Sequence, residues 1–100
     1  MSPLTGKQRK YLKGLAHGDR PPLFQVGRDG LADNVMASLD SALTSHELVK
    51  VQFLEKGDID RKAYARSIAE RLGAELVQLI GYKASFYRAN TEEPRIVLPG

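Results

Sequence analysis

Gly27-Arg28-Asp29-Gly30 is the stretch of this 100-residue chain whose residue types and spacing best suit a chemical task. Its two glycines permit φ > 0 and close approach of another backbone. Amides in such a turn, together with the first turn of a following helix, can face a phosphate. Arg28 supplies positive charge, whereas Asp29 has the wrong sign for holding a polyanion. On its own a Gly-x-x-Gly tetrapeptide is more often an ordinary turn, so its context decides. Residues 1–20 hold five cations, Lys7, Arg9, Lys10, Lys13 and Arg20, against Asp19 alone, a balance of +4. Residues 31–60 hold six acids against Lys50 and Lys56, a balance of −4. With a net charge of +3 and a pI near 9.3, the molecule is electrically lopsided rather than strongly basic. A basic end on a nearly neutral body suits a polyanion, although solvated lysines are the commoner reason for any one such charge.

Other chemistries lack their residues. Cysteine is absent, which excludes disulfides, thiolate metal sites and a cysteine nucleophile. His17 and His46 have no partner at ligand spacing and are expected to be capping or surface residues. With no nucleophile–base pair, phosphate-binding lysine motif or metal cluster, the expectation is no enzyme, no cofactor, no metal and no small-molecule substrate. The first residues, Met1 to Lys7, lack an apolar run of signal-peptide length. No stretch approaches a membrane span, so a cytoplasmic location is expected. Arg61, Lys62, Arg66 and Arg71, with Glu70 among them, spread around one helix and fit a solvated face as well as an RNA contact. Tyr82, Phe86 and Tyr87 suit base stacking, but alternation along a strand must send some of them into the core.

The elements that position these groups follow from periodicity. Thr5-Gly6-Lys7-Gln8 has capping-box spacing, so a helix starts there, with Leu4, Tyr11, Leu12 and Leu15 on one stripe and Arg9, Lys10 and Lys13 opposite. Gly18 and Pro21-Pro22 end it. Leu23 to Val26 is a short strand before the glycine turn. Val35, Met36, Leu39, Ala42 and Leu43 mark a second helix. Leu48 to Leu54 alternates as a strand, and a third helix runs from about Asp60 to Gly73, which suits a left-handed cap. Leu76 to Ile80 and Ala84 to Arg88 flank Gly81-Tyr82-Lys83 as a hairpin. The tail from about residue 89 to 100 is expected to dock weakly or not at all. The order α-β-α-β-α-β-β makes one domain over residues 1–100. It is an α/β two-layer sandwich with a four-stranded mixed sheet, the first three strands parallel and the last antiparallel, with the strand order left open.

Several blocks together resemble a known family. Leu12-Lys13-Gly14-Leu15-Ala16-His17, the strand into Gly27-x-x-Gly30-Leu31, His46-Glu47-Leu48-Val49-Lys50-Val51, Val77-Gln78-Leu79-Ile80-Gly81 with Phe86-Tyr87-Arg88, and Ile96-Val97-Leu98-Pro99 look like the bacterial YhbY-like CRM domains, in the same order and over nearly the whole chain. The resemblance implies a fold similar to the C-terminal domain of translation initiation factor three and a Gly-x-x-Gly loop comparable to that of KH domains. It also implies association with precursors of the large ribosomal subunit. Two departures stand out. Ala32 occupies a position where the family often has a capping Thr, which leaves Asp33 to cap the second helix. Tyr82 follows the hairpin glycine where Lys is common, with Lys83 one place later.

The expected function is therefore RNA binding without chemistry, by a monomer. Gly27, Arg28, Asp29 and Gly30 let an RNA backbone approach, and Lys7, Arg9, Lys10, Lys13, Arg20 and Lys83 engage phosphates. The expected partner is ribosomal RNA in large-subunit precursors, with ribosomal proteins nearby. The alternative is a protein-interaction factor of the ribosome or translation machinery whose basic face only steers.

Overall fold

The computed structural model describes residues 4–18, 21–27, 33–54 and 60–99. Its elements are α1 (Gly6–Ala16), β1 (Leu23–Val26), α2 (Asp33–His46), β2 (Leu48–Phe53), α3 (Arg61–Leu72), β3 (Glu75–Ile80) and β4 (Lys83–Tyr87).

Local chemistry sets the helix ends. The Thr5 hydroxyl accepts the Gln8 amide and the Gln8 side chain accepts the Thr5 amide, each at 3.1 Å, so the expected capping box forms. The Asp60 carboxylate accepts the Ala63 amide at the start of α3. Gly73, at φ 63°, closes that helix by donating to the carbonyls of Ala69 and Glu70. Asp33 is the first residue of α2 and places its carboxylate in the first turn, where the helix dipole favours it.

The sheet order is β1-β2-β4-β3. β1 runs parallel to β2, and β4 is antiparallel to both β2 and β3, so the first three strands share a direction and β4 is inserted between two of them. Because successive side chains point to opposite faces, Val49, Val51 and Phe53 of β2, with Phe24, Val26, Ala84 and Phe86 from paired positions, form one apolar face. Met36, Leu39 and Leu43 of α2 and Ala65, Ile68 and Leu72 of α3 pack against it. This is the expected two-layer core. On the reverse face, the alternate residues Leu48, Val77 and Tyr87 form a second, smaller cluster with Leu12 and Ala16 of α1. The buried stripe of α1 is thus centred on Leu12 and Ala16, with Tyr11 at its margin and 43% exposed. At eleven residues α1 is about 16 Å long and covers only one end of that face.

The tail differs from expectation: it docks. Glu47, just past α2, adopts φ 64° and is 1% exposed. Its carboxylate accepts the backbone amides of Asn90 at 2.7 Å, Arg95 at 2.5 Å and Ile96 at 2.7 Å. A buried carboxylate is tolerable when donors offset its charge, and these three amides engage both of its oxygens. Ile96 and Leu98 then pack on the α1 cluster, and the Gln8 amide group donates to the Pro99 carbonyl at 3.2 Å.

Candidate nucleic-acid interface

Beyond α1, the reverse face of the sheet is lined by exposed or half-buried side chains, except for the buried Ser85. By register, Lys50, Ser85 and Gln78 share this face in one row across β2, β4 and β3, with Leu23 beside them on β1. Gln25, Gln52, Lys83 and Ile80 share the next. Neither row contains a carboxylate. The Lys50 ammonium donates to the Gly18 carbonyl at 3.1 Å, tying the end of α1 to the sheet, while Lys83 is exposed.

The flanks of α1 have different surroundings. Gln8 and Leu15 meet the tail. Lys13 projects from the other side of the helix, since a rotation of about 100° per residue separates positions 13 and 15 by most of a half-turn. Lys10 and Lys13 are exposed. Arg9 is half-buried, and its guanidinium donates to the carbonyls of Leu76 at 2.6 Å and Val77 at 3.2 Å, where the bulge in β3 turns two carbonyls outward. Of the cations expected to engage phosphate, Arg9 thus straps helix to sheet, leaving Lys10 and Lys13 as the exposed charges on this flank. Lys7 is also exposed but lies nearer the tail side, one turn before Tyr11.

Gly27 sits at the end of β1, three residues beyond Phe24, a distance of about 10 Å by strand rise. Arg20, Arg28, Asp29 and Gly30 lie outside the described residues. At Gly27 φ is not positive, and a Cβ built there would meet nothing within 4 Å. The turn does not need glycine at 27 for its backbone angle. What a glycine offers at this position is room for another molecule to approach.

The strand aromatics and Arg61 are taken up by the fold. Phe86 is wholly buried and Tyr87 is 4% exposed. The guanidinium of Arg61 lies 4.6 Å over the Tyr82 ring and donates to the Gly81 carbonyl, fastening α3 to the hairpin. Lys62, Arg66 and Arg71 belong to the layer on the opposite side of the sheet from α1, and Arg71 pairs with Asp33 at 3.6 Å. His17 and His46 are exposed, and no group of three or more His, Cys, Asp or Glu among the described residues is placed to hold a metal. No helix among those residues is long and apolar enough to cross a membrane. Sequence reasoning missed Lys50, a member of an alternating strand whose polar face carried no other signal. It also passed over Tyr11, counted with the apolar stripe.

An α/β domain whose sheet presents two rows without a carboxylate, flanking lysines and a glycine at the strand end defines a class suited to an extended anion. Comparison with known proteins gives the family. The model of the CRS1 / YhbY (CRM) domain matches residues 4–88. The chain is 36% identical over 96 residues to "Probable RNA-binding protein YqeI" of Bacillus subtilis, covering 96% of this chain and 99% of that one. It is 38% identical over 87 residues to "Probable RNA-binding protein PA4753" of Pseudomonas aeruginosa, covering 87% and 83%. The solution structure of SAV1595 from Staphylococcus aureus, a candidate RNA-binding protein, superposes with a TM-score of 0.79 at 40% identity, covering 97% of this chain and all of that one. The chain belongs to the CRS1/YhbY (CRM) domain family.

Proposed function

We propose that this protein binds structured RNA without catalysis, and that its RNA is ribosomal, within precursors of the large subunit in the cytoplasm. The observation that carries the RNA reading is the reverse face beyond α1, with Lys83 exposed on it, Lys10 and Lys13 exposed on the flank of α1 away from the tail, and Gly27 at the end of β1, where an added Cβ would meet nothing within 4 Å. The names of the similar proteins favour the same partner. The polar side chains and dispersed cations of this surface suit backbone and shape recognition, with phosphates supplying most of the affinity. The large-subunit assignment comes from the family resemblance.

Gly27→Ala is the test at the site. Its backbone angle suits alanine and the added methyl meets no protein atom, so the variant melts like the parent. If an RNA backbone packs there, affinity for a large-subunit RNA fragment falls roughly tenfold by anisotropy, about 1.4 kcal/mol. Lys10→Ala with Lys13→Ala lowers affinity for all RNAs alike and flattens the salt slope by about one for each phosphate no longer neutralised. Parent-like binding by both variants excludes this surface. Sucrose-gradient fractionation tests the rest: the chain is expected with precursor large subunits, and its absence there removes the ribosomal assignment. Crosslinks to proteins alone would favour the interaction-factor reading instead.

A further inference from the structure

The docked tail creates a second site. Where it crosses the reverse cluster, a pocket of about 340 Å³ opens between α1, the start of β2 and the tail. Leu15, Leu48 and Ile96 make its apolar floor, and Tyr11, His46 and Arg95 stand around it. Two segments that carry the family resemblance, His46-Glu47-Leu48 and Ile96-Val97-Leu98, meet here. Glu47 joins them, since its carboxylate holds the amides of Arg95 and Ile96.

We propose that this pocket receives one unpaired nucleobase of the bound RNA. The inference rests on the RNA-binding reading and adds a base subsite to it. The volume lies at the small end of ligand pockets, which run about 300–1,000 Å³, and suits one planar base with its sugar. Tyr11 is a large exposed aromatic beside an apolar floor, the surface on which splayed-out bases stack. The His46 ring can donate or accept at a base edge, and the Arg95 guanidinium, 56% exposed and 3.7 Å from Glu93, offers a second donor or a planar stacking partner. Lys7, exposed and one helical turn from Tyr11, stands where the phosphate of such a nucleotide would lie. This gives Lys7 a task separate from that of Lys10 and Lys13 on the other flank. The cluster of polar and cationic groups on the rim argues against a purely apolar ligand.

The test has two arms. The whole chain is titrated with AMP, GMP, CMP and UMP while backbone amide resonances are followed, with inorganic phosphate as control. At least one nucleotide should give saturable shifts centred on Leu15, Leu48 and Ile96 that phosphate does not, and Tyr11→Ala, at an exposed position, should abolish them while melting like the parent. Next, two RNA hairpins identical except for a single bulged base are compared. The parent should bind the bulged one about tenfold tighter, the size expected for one base stacked on an aromatic ring. Tyr11→Ala should bind both alike, whereas Lys10→Ala with Lys13→Ala should weaken both equally. Equal binding of the two hairpins by the parent, unchanged by Tyr11→Ala, overturns the base pocket and leaves the sheet-face reading standing. No salt-dependent binding of either hairpin overturns the RNA reading and the pocket with it.

Discussion

At the scale of single residues, Glu47 and Tyr87 show how much of this molecule depends on one charged group in a dry place. Tyr87 lies in the α1 cluster, and burial first, then the nearby Glu47 carboxylate, raise its ionisation above the ordinary 10.0. The folded chain therefore keeps the phenolic proton in a pH range where the unfolded chain has released it. The resulting stability is complete below about pH 10 and declines as pH climbs beyond it. Denaturant melts from pH 8 upward should show this decline, and Tyr87→Phe should remove it. In the phenolate absorbance, a late-titrating component should be present in the parent and lost in Tyr87→Phe. Neither residue announces itself in the sequence. Glu47 follows a helix that lacks a terminal glycine, and its partners lie more than forty positions away, so no local pattern could link them. Gly73, by contrast, was readable because its left-handed role is set within its own helix end.

Among elements, helices and strands were legible nearly to the residue, since 3.6-fold and twofold periodicities are local. The order of strands was not, because it depends on which strand has two apolar faces to cover. Ala84, Ser85, Phe86 and Tyr87 are all buried, which places β4 inside the sheet, while β3 stays half-exposed at the edge. That run of small and aromatic residues without charge was the available sign. Likewise, an apolar stripe says that α1 buries one side but not which face of the sheet receives it. The layers are joined at a point the pattern also hid. The Arg88 guanidinium donates to the Asp40 carboxylate at 2.6 Å and carbonyl at 2.9 Å, to the Thr44 hydroxyl at 2.9 Å and to the Leu72 carbonyl at 2.8 Å. It thereby fastens α2, the end of α3 and the end of β4. A lysine cannot reproduce this planar fork. Arg88→Lys should cost about 1–2 kcal/mol in urea melts, reduced from the buried-site figure by partial exposure, with faster amide exchange at the ends of α2 and α3. An unchanged midpoint would mean that the fork contributes nothing net.

For the molecule as a whole, charge asymmetry in the sequence pointed to the basic end of the chain but not to the division of labour within it. Arg9 is used for assembly, Lys10 and Lys13 stand exposed on the flank away from the tail, and Lys7 is exposed one turn before Tyr11, distinctions that depend on how a helix is rotated on a sheet. The Gln8–Pro99 contact has a consequence for connectivity. It holds the first turn of α1 against Pro99 as a seam, so an engineered variant in which a short peptide links residue 4 to residue 99 would close the described chain into a ring. In the open chain, the undocked tail is held only at its Arg88 end, whose amide donates to the Glu47 carbonyl. In the ring, its effective concentration at Glu47 is far higher, because the alternative conformations have been removed. Amides at Arg95 and Ile96 should therefore exchange more slowly in the ring than in the linear protein. After Glu47→Gln, the linear form should lose most of that protection and the ring should keep part of it. Equal exchange in ring and line would show that Glu47 alone, and not proximity of the ends, holds the seam closed.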